Sequence, residues 1–209
     1  MKIRIHRFLP LTEAEGPGKR ACLWVQGCSV RCEGCGVPWT WSDKGGKDIS
    51  VDDLFKKIVD SKKENNIEGV TFLGGEPMDQ AEALAELADK IKIAGLSILT
   101  FSGRYLEDIK SNPRKGQLEL LELTDLFIDG PFEKENIDLS RPWTGSSNQR
   151  YHFLTERYRY LEGQLQSISN KIEVRLEPDG TVSINGMIRQ EQLQSLYEEL
   201  SKHKVSNRN

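Results

Sequence analysis

Two hydrophobic periods take turns along this chain. Residues 2–8 (KIRIHRF) alternate apolar and polar, the pattern of a half-buried strand. The turn-forming run Glu15-Gly16-Pro17-Gly18 follows, then a second strand over 21–26 that stops at Gly27. Residues 43–47 read as a Gly-rich surface segment. Val51, Leu54, Phe55 and Ile58 then fall at helical spacing, and Ser50 with Asp53 three residues on has the form of a capping box. Residues 69–73 (GVTFL) make a compact strand ending in a double glycine. Leu84, Leu87, Ala88 and Ile91 form the next helical stripe, stopped by Gly95, and 97–101 is again a strand. A helical or irregular stretch leads to the strand 126–128, which ends at Asp129-Gly130-Pro131.

Strands alternating with helices predict βαβ units, hence an α/β fold with a mostly parallel sheet. Ligands on such sheets bind at the carboxyl ends of the strands. The cysteine-containing loop after residue 27, Gly74-Gly75-Glu76, Ser102-Gly103 and Asp129-Gly130 all fall at predicted strand ends, so the unusual residues gather on one rim. After about residue 156 the style changes. Residues 172–176 and 181–184 flank Glu177-Pro178-Asp179-Gly180, a hairpin signal, and Leu193, Leu196, Tyr197 and Leu200 mark one face of a final helix. The expected division is a core over 1–156 and a hairpin-and-helix extension over 157–209, with a polar, frayed tail at 202–209.

Composition narrows the class. The 209 residues, 37% hydrophobic and 29% charged, suit a globular chain long enough to bury a core. A net charge of −3 argues against a nucleic-acid-coating surface, which needs a basic excess. No apolar run approaches bilayer-spanning length and the N-terminus lacks an apolar h-region, so the chain reads as cytoplasmic, with no membrane partner.

Three of the four cysteines, Cys28, Cys32 and Cys35, crowd into CSVRCEGC. In a reducing compartment such a cluster points to metal ligands rather than a disulfide framework. The spacing CxxxCxxC offers three thiolates, which suits a [4Fe–4S] cube whose fourth iron is open to substrate. The competing reading is a zinc or redox-sensing module that binds a partner. A structural zinc needs a fourth ligand, and the candidates are Cys22 on the preceding strand, His6 and His152. Cys22, between Ala21 and Leu23, reads most simply as packing.

The stretch EGPGKRACLWVQGCSVRCEGCGVPWTW resembles the N-terminal signature of radical S-adenosylmethionine (SAM) activating enzymes, in particular the activase of anaerobic (class III) ribonucleotide reductase and, with it, pyruvate formate-lyase activating enzymes. The similarity continues at FLGGEP (72–77), DLFIDGPF (125–132) and GSSNQR (145–150), and covers roughly residues 12–152. It implies a partial (β/α) barrel of radical SAM type. It also implies that Cys28, Cys32 and Cys35 ligate three irons while the fourth chelates SAM. Gly34, Cys35 and Gly36 would line SAM through the backbone; Gly74 and Gly75 would present carbonyl and amide groups, and Glu76 would receive the ammonium. Ser102 and Asp129 are rim residues read either as ribose or substrate contacts or as plain turn residues.

The implied activity is reductive cleavage of SAM to a 5′-deoxyadenosyl radical, with an electron from a flavodoxin- or ferredoxin-type donor, and hydrogen abstraction from a glycine of a partner enzyme. Radical modification of a peptide, a nucleotide or another small substrate is the alternative within the same chemistry. Two departures from the family pattern bear on the partner. The chain continues well past GSSNQR, and Gly36-Val37-Pro38 follows the third cysteine where relatives carry a larger residue and an Asn-containing step. GSSNQR itself reads either as a functional segment or as a polar connection, and Arg141 and Trp143 either as interface anchors or as an ordinary basic–aromatic pair.

Overall fold

A computed structural model describes residues 1–176 and 180–204. Nine strands, β1 (Lys2–Thr12), β2 (Arg20–Val25), β3 (Lys47–Ser50), β4 (Gly69–Gly74), β5 (Ser97–Phe101), β6 (Leu126–Asp129), β7 (Arg150–Phe153), β8 (Ile172–Leu176) and β9 (Val182–Gly186), form two sheets. The helices are α1 (Val51–Asn65), α2 (Ala81–Ile93), α3 (Leu106–Ser111), α4 (Gln117–Leu123) and α5 (Gln190–Lys204). The main sheet is open, in the order β3-β1-β2-β4-β5-β6-β7. Its central strands β2, β4, β5 and β6 run parallel, while β1, β3 and β7 add antiparallel to the flanks. The fold is therefore α/β with a parallel centre, as the alternating periods predict.

The parallel strands are buried on both faces, so they read as continuous apolar runs rather than as alternations. One face carries the larger core, where Leu23, Val70, Phe72, Ile98 and Phe127 meet the stripes of α1 and α2, among them Leu54, Leu84 and Leu87. Ser50 caps α1 as expected, its hydroxyl accepting from the Asp53 amide at 3.0 Å. The opposite face buries Cys22 and Trp24 on one side and Leu99, Ile128 and Trp143 on the other.

Between these two patches lies Arg20, fully buried. Its guanidinium donates to Thr71 Oγ1 (2.7 Å), the Val70 carbonyl (2.6 Å), Ser97 Oγ (3.2 Å), the Pro17 carbonyl (3.2 Å) and Tyr158 Oη (2.7 Å). A buried cation is tolerable only when its donors are satisfied. Here neutral oxygens from four segments do so, one of them from beyond residue 156.

The β8–β9 hairpin docks through polar contacts. Asn185 Nδ2 donates to Thr12 Oγ1 (3.0 Å), the Gly186 amide to Glu15 Oε1 (2.7 Å) and Arg175 to the Leu11 carbonyl (2.6 Å). Thr12 pairs with Arg20 at the start of β2, whereas the cysteine loop leaves from Val25 at its end. Most of the hairpin's anchors therefore lie at the amino-terminal end of the parallel strands, away from the loop. Leu193, Leu196 and Leu200 of α5 are partly buried and Tyr197 is exposed. Of the segments singled out in the sequence, Glu177-Pro178-Asp179 and the end of the polar tail, 205–209, lie outside the described residues. Among the described residues no helix is long and apolar enough to cross a membrane.

Candidate active site

The cysteine loop is tied down at its base. The Gly27 amide donates to the Thr40 carbonyl (2.7 Å) and the Cys28 amide to the Trp41 carbonyl (3.1 Å), so 28–41 closes on itself. Buried Gln26 donates to the carbonyls of Trp39 (3.0 Å) and Ser42 (2.7 Å). Gln80 bridges the Gln26 and Arg4 carbonyls from the next crossover.

Within the loop, Cys28, Cys32 and Cys35 are half-buried and free of disulfides. Each thiol faces a backbone amide: Arg31 N lies 3.5 Å from Cys28 Sγ and Val37 N 3.4 Å from Cys35 Sγ, and the Phe132 amide faces Cys32. Burial pushes the Cys28 and Cys32 thiols up, and these amides pull them back toward the thiolate. Amides directed at sulfur are what a thiolate-ligated cluster calls for, since hydrogen bonds to sulfur help set its potential. Among the described residues, no three His, Cys, Asp or Glu side chains converge on a point that would hold a single metal ion. A cube asks for a wider arrangement, with each thiolate on its own iron, and three thiols in one loop, each with an amide beside it, are donors of the kind it takes. The zinc alternative finds no fourth ligand in its three candidates. Cys22 is fully buried beside Thr71, Glu15 and Arg20; His6 Nδ1 pairs with Gln26 Oε1 (3.2 Å); His152 Nε2 lies 2.9 Å from Asp129 Oδ2.

The double glycine after β4 is required by close approach. Gly74 has φ +106°, and a Cβ there would lie 2.7 Å from Trp24 Cα; one at Gly75 would fall onto the Gly27 carbonyl oxygen. The Gly75 and Glu76 amides donate to the carbonyls of Val25 and Gly27, both at 2.9 Å. The turn thus braces the start of the cysteine loop, and it spends on that the Gly75 amide, one of the groups the family resemblance would offer to a ligand.

Glu76, expected to receive an ammonium, is only 1% exposed. Its Oε1 accepts from the Met78 amide (2.9 Å) and Ser102 Oγ (2.9 Å), and its Oε2 from the Gly103 amide (2.8 Å). Burial raises this carboxyl to about 7 against the pull of those three donors. Glu76 caps the 3₁₀ turn Pro77–Gln80 and ties it to the end of β5 through Ser102.

Asp129, fully buried, accepts from Arg150 Nε (2.9 Å), Arg150 Nη2 (2.5 Å) and the Leu106 amide (2.8 Å). Burial works upward on it, but the His152 and Arg150 contacts outweigh that and hold it down at about 2. Ser102 and Asp129 thus stand at the rim as predicted, with their oxygens turned onto protein donors. Gly34 and Gly36 are exposed in the loop.

Several residues at the rim carry no signal of their own in the sequence. Asp79 accepts from the Ser29 amide and hydroxyl, both at 2.8 Å, and from Arg104 (3.2 Å), so it fixes the residue after Cys28. Its place just past the GGEP turn is the only hint. Ser29, Val30, Gly103, Arg104, Tyr105 and Pro131 line an open cleft beside the loop. The GSSNQR segment borders the same region: Asn148 Nδ2 donates to the Pro131 carbonyl (2.8 Å) and Gln149 Nε2 to the Gly130 carbonyl (3.2 Å).

A loop of three amide-facing thiols on the carboxyl rim of a parallel sheet has the donor set of an iron–sulfur protein. The family model of the 4Fe-4S single cluster domain matches residues 14–152, which span this loop and every rim element, so the chain is a single-cluster [4Fe–4S] protein. Enterobacteria phage T4 has an anaerobic ribonucleoside-triphosphate reductase-activating protein 34% identical over 148 residues, 69% of this chain and 90% of that one. The protein of that name in Vibrio cholerae serotype O1 is 31% identical, over 72% of this chain and 97% of that one. A pyruvate formate-lyase-activating enzyme of Clostridium pasteurianum is 37% identical over 61% of this chain and 55% of its own length. The chain belongs to the family of anaerobic ribonucleoside-triphosphate reductase-activating proteins. It is a radical SAM enzyme, with a [4Fe–4S] cluster and SAM as cofactors. Among solved structures, QueE from Escherichia coli matches 49% of this chain and 53% of that one at 22% identity and a TM-score of 0.41, too slight a likeness to argue from.

Proposed function

We propose that this protein activates a glycyl radical enzyme, an anaerobic ribonucleoside-triphosphate reductase, as the names of its relatives describe for themselves. The observation that supports it most is the cysteine loop of three half-buried, amide-facing thiols on the sheet's rim, in a chain whose sequence aligns with these relatives over nearly their whole length. In this reading Cys28, Cys32 and Cys35 would hold the cluster, and SAM would bind at it through its amino and carboxylate groups. When bound, the cluster supplies the electron that cleaves SAM to a 5′-deoxyadenosyl radical, for which a flavodoxin- or ferredoxin-type protein is the expected donor.

The chain's own residues bind, orient and shield. Gly34 and Gly36 allow close approach to the loop backbone, and the carbonyls of Gly74 and Gly75 serve the methionine end of SAM. Glu76, Ser102, Asp79 and Asp129 act at one remove, as struts that hold these turns in register. The open cleft of Ser29, Arg104, Tyr105 and Pro131 lies where a polypeptide segment can be brought to the rim. The open sheet, with β3 and β7 as edges, is read as a partial barrel whose missing side admits a large substrate, and the 157–209 region as a unit added at the far end. Anaerobic incubation of the reconstituted protein with SAM, a reductant and the anaerobic reductase from the same genome tests the reading. A glycyl radical doublet in the reductase by electron paramagnetic resonance (EPR) is expected. Production of 5′-deoxyadenosine with no radical on the reductase would move the assignment to a peptide, nucleotide or other small substrate.

A further inference from the structure

One contact joins three motifs that the sequence presents separately. Phe132, the last residue of DLFIDGPF, lies between Gly34 of the cysteine loop and Gly145 of GSSNQR. A Cβ on Gly34 would lie 3.2 Å from Phe132 Cε1, and one on Gly145 would lie 3.0 Å from Phe132 Cδ2. The ring therefore packs against bare backbone on both sides, where a Cβ on either glycine would make it shift by a few tenths of an ångström. Behind it, the Gly145 loop is rigid: Gln149 Oε1 accepts from the Gly145 amide (2.8 Å) and the Ser146 amide (3.2 Å), and Arg141 donates to the Ser146 and Ser147 carbonyls, both at 3.0 Å. Below it, the turn that carries Phe132 is pinned by Asn148 on Pro131 and Gln149 on Gly130. The Phe132 amide faces Cys32, whereas the amides at Cys28 and Cys35 come from within the loop.

We propose that Phe132 is a positioning residue for the cluster: its ring, backed by Gly145, holds the 32–35 turn in place and shields that side of the cluster from water. The inference rests on the cluster reading of the three cysteines. It also gives GSSNQR a task, that of a backstop for the ring, in place of substrate contact. The Lys134 side chain continues the same wall, its Cβ 3.5 Å from a Cβ placed at Gly34.

The test compares wild type, Phe132→Ala, Phe132→Leu and Gly145→Ala, all reconstituted anaerobically. Iron and sulfide content, the rate of iron release to a chelator, and the reduction midpoint by EPR-monitored titration are the readouts. Outer-shell supports of metal ligands typically matter by one to two orders of magnitude, so Phe132→Ala is expected to release iron on the order of ten-fold faster than wild type. Phe132→Leu falls between, and the midpoint of Phe132→Ala moves upward as water reaches the cluster, the backbone amide being unaltered. Gly145→Ala pushes on the ring without touching the loop. It should speed release in the wild-type background and add nothing in the Phe132→Ala background.

Melting of the apo-proteins separates loss of the cluster from loss of the fold. If Phe132→Ala fails to fold, Phe132→Leu and Gly145→Ala carry the comparison. Wild-type release rates and midpoints in all variants, or a Gly145→Ala effect independent of the ring, would overturn the proposal. A wild-type protein that takes up no cluster would instead sink the cluster reading itself.

Discussion

At the scale of single residues, the rim is held by charged groups whose burial makes them costly to disturb. Glu76 is the clearest case. The folded chain retains a proton on this carboxyl up to about pH 7, whereas the unfolded chain releases it near 4.5. The folded state thus binds more protons in that window, and stability from this group is complete below 4.5 and lost as pH rises through 7. Chemical denaturation of the apo-protein should show wild type losing more stability between about pH 5 and pH 8 than Glu76→Gln does, because the amide does not titrate. Glu76→Gln should itself cost about 1–3 kcal/mol at the lower pH, since the amide sets an NH2 against a donor where the protonated carboxyl still presents an oxygen. Equal pH slopes in the two proteins would remove Glu76 as the titrating group. The cysteine spacing was fully legible at this scale, because ligand chemistry leaves a local signature. Asp79 and Phe132 were not, because their work depends on partners far off in sequence, Ser29 at 50 residues for the first and Gly34 of the loop for the second.

At the scale of elements, the periodic helices and buried strands were readable. Residues 97–101 of the sequence pattern are β5 itself, and the hairpin strands lie within two residues of their predicted limits. Two strands escaped notice. β3 (KDIS) has a single apolar residue and owes its order to pairing with β1, including an Arg4–Asp48 ion pair at 2.8 Å. β7 (RYHF) is half-buried throughout, so it has no alternation, and its place is set by pairing with β6 and by Arg150 on Asp129. The run GPGKR also changed meaning. In the sequence it is a turn and part of the family signature, and in the fold its Arg20 is a strut at the end of the strands opposite the cysteine loop. Tyr158 Oη serves that strut and lies 2.5 Å from Ser97 Oγ. Tyr158→Phe should therefore lower stability by about 1.5–3 kcal/mol, the range for hydrogen bonds to charged groups. Hydrogen exchange would then quicken in the 3₁₀ segment Glu156–Leu161, while cluster content stays at the wild-type level. Unchanged denaturation by Tyr158→Phe would show that Arg20 finds another acceptor.

At the scale of the whole molecule, the two ends of the parallel strands have separate tasks. The carboxyl ends carry the cysteine loop and its bracing turns, and the amino ends carry Arg20 and most contacts of the extension. Tyr158 and Leu161, which lie past the expected division near residue 156, are buried in the core. A chain ending at residue 171 keeps both, together with Asn170, which holds the Leu139 and Arg141 carbonyls and the Trp143 amide, and loses the hairpin and α5. It should fold and take up iron and sulfide like the full chain, with Glu15 relieved of its burial once Gly186 and Asn185 are gone. A chain ending at residue 155 leaves Arg20 one acceptor short in the core and should lose its cooperative unfolding transition. If the 171-residue chain could not hold a cluster, the extension would have to act on the loop across the whole length of the sheet.

The measurement that bears most directly on the account is anaerobic incubation of the iron- and sulfide-reconstituted protein with SAM and dithionite, followed by chromatography for 5′-deoxyadenosine. A variant with Cys28, Cys32 and Cys35 all changed to Ala would run in parallel. The account predicts 5′-deoxyadenosine and methionine in equal amounts from the intact protein and none from the variant. A wild-type protein that holds zinc, or a full cluster that leaves SAM untouched, would contradict it.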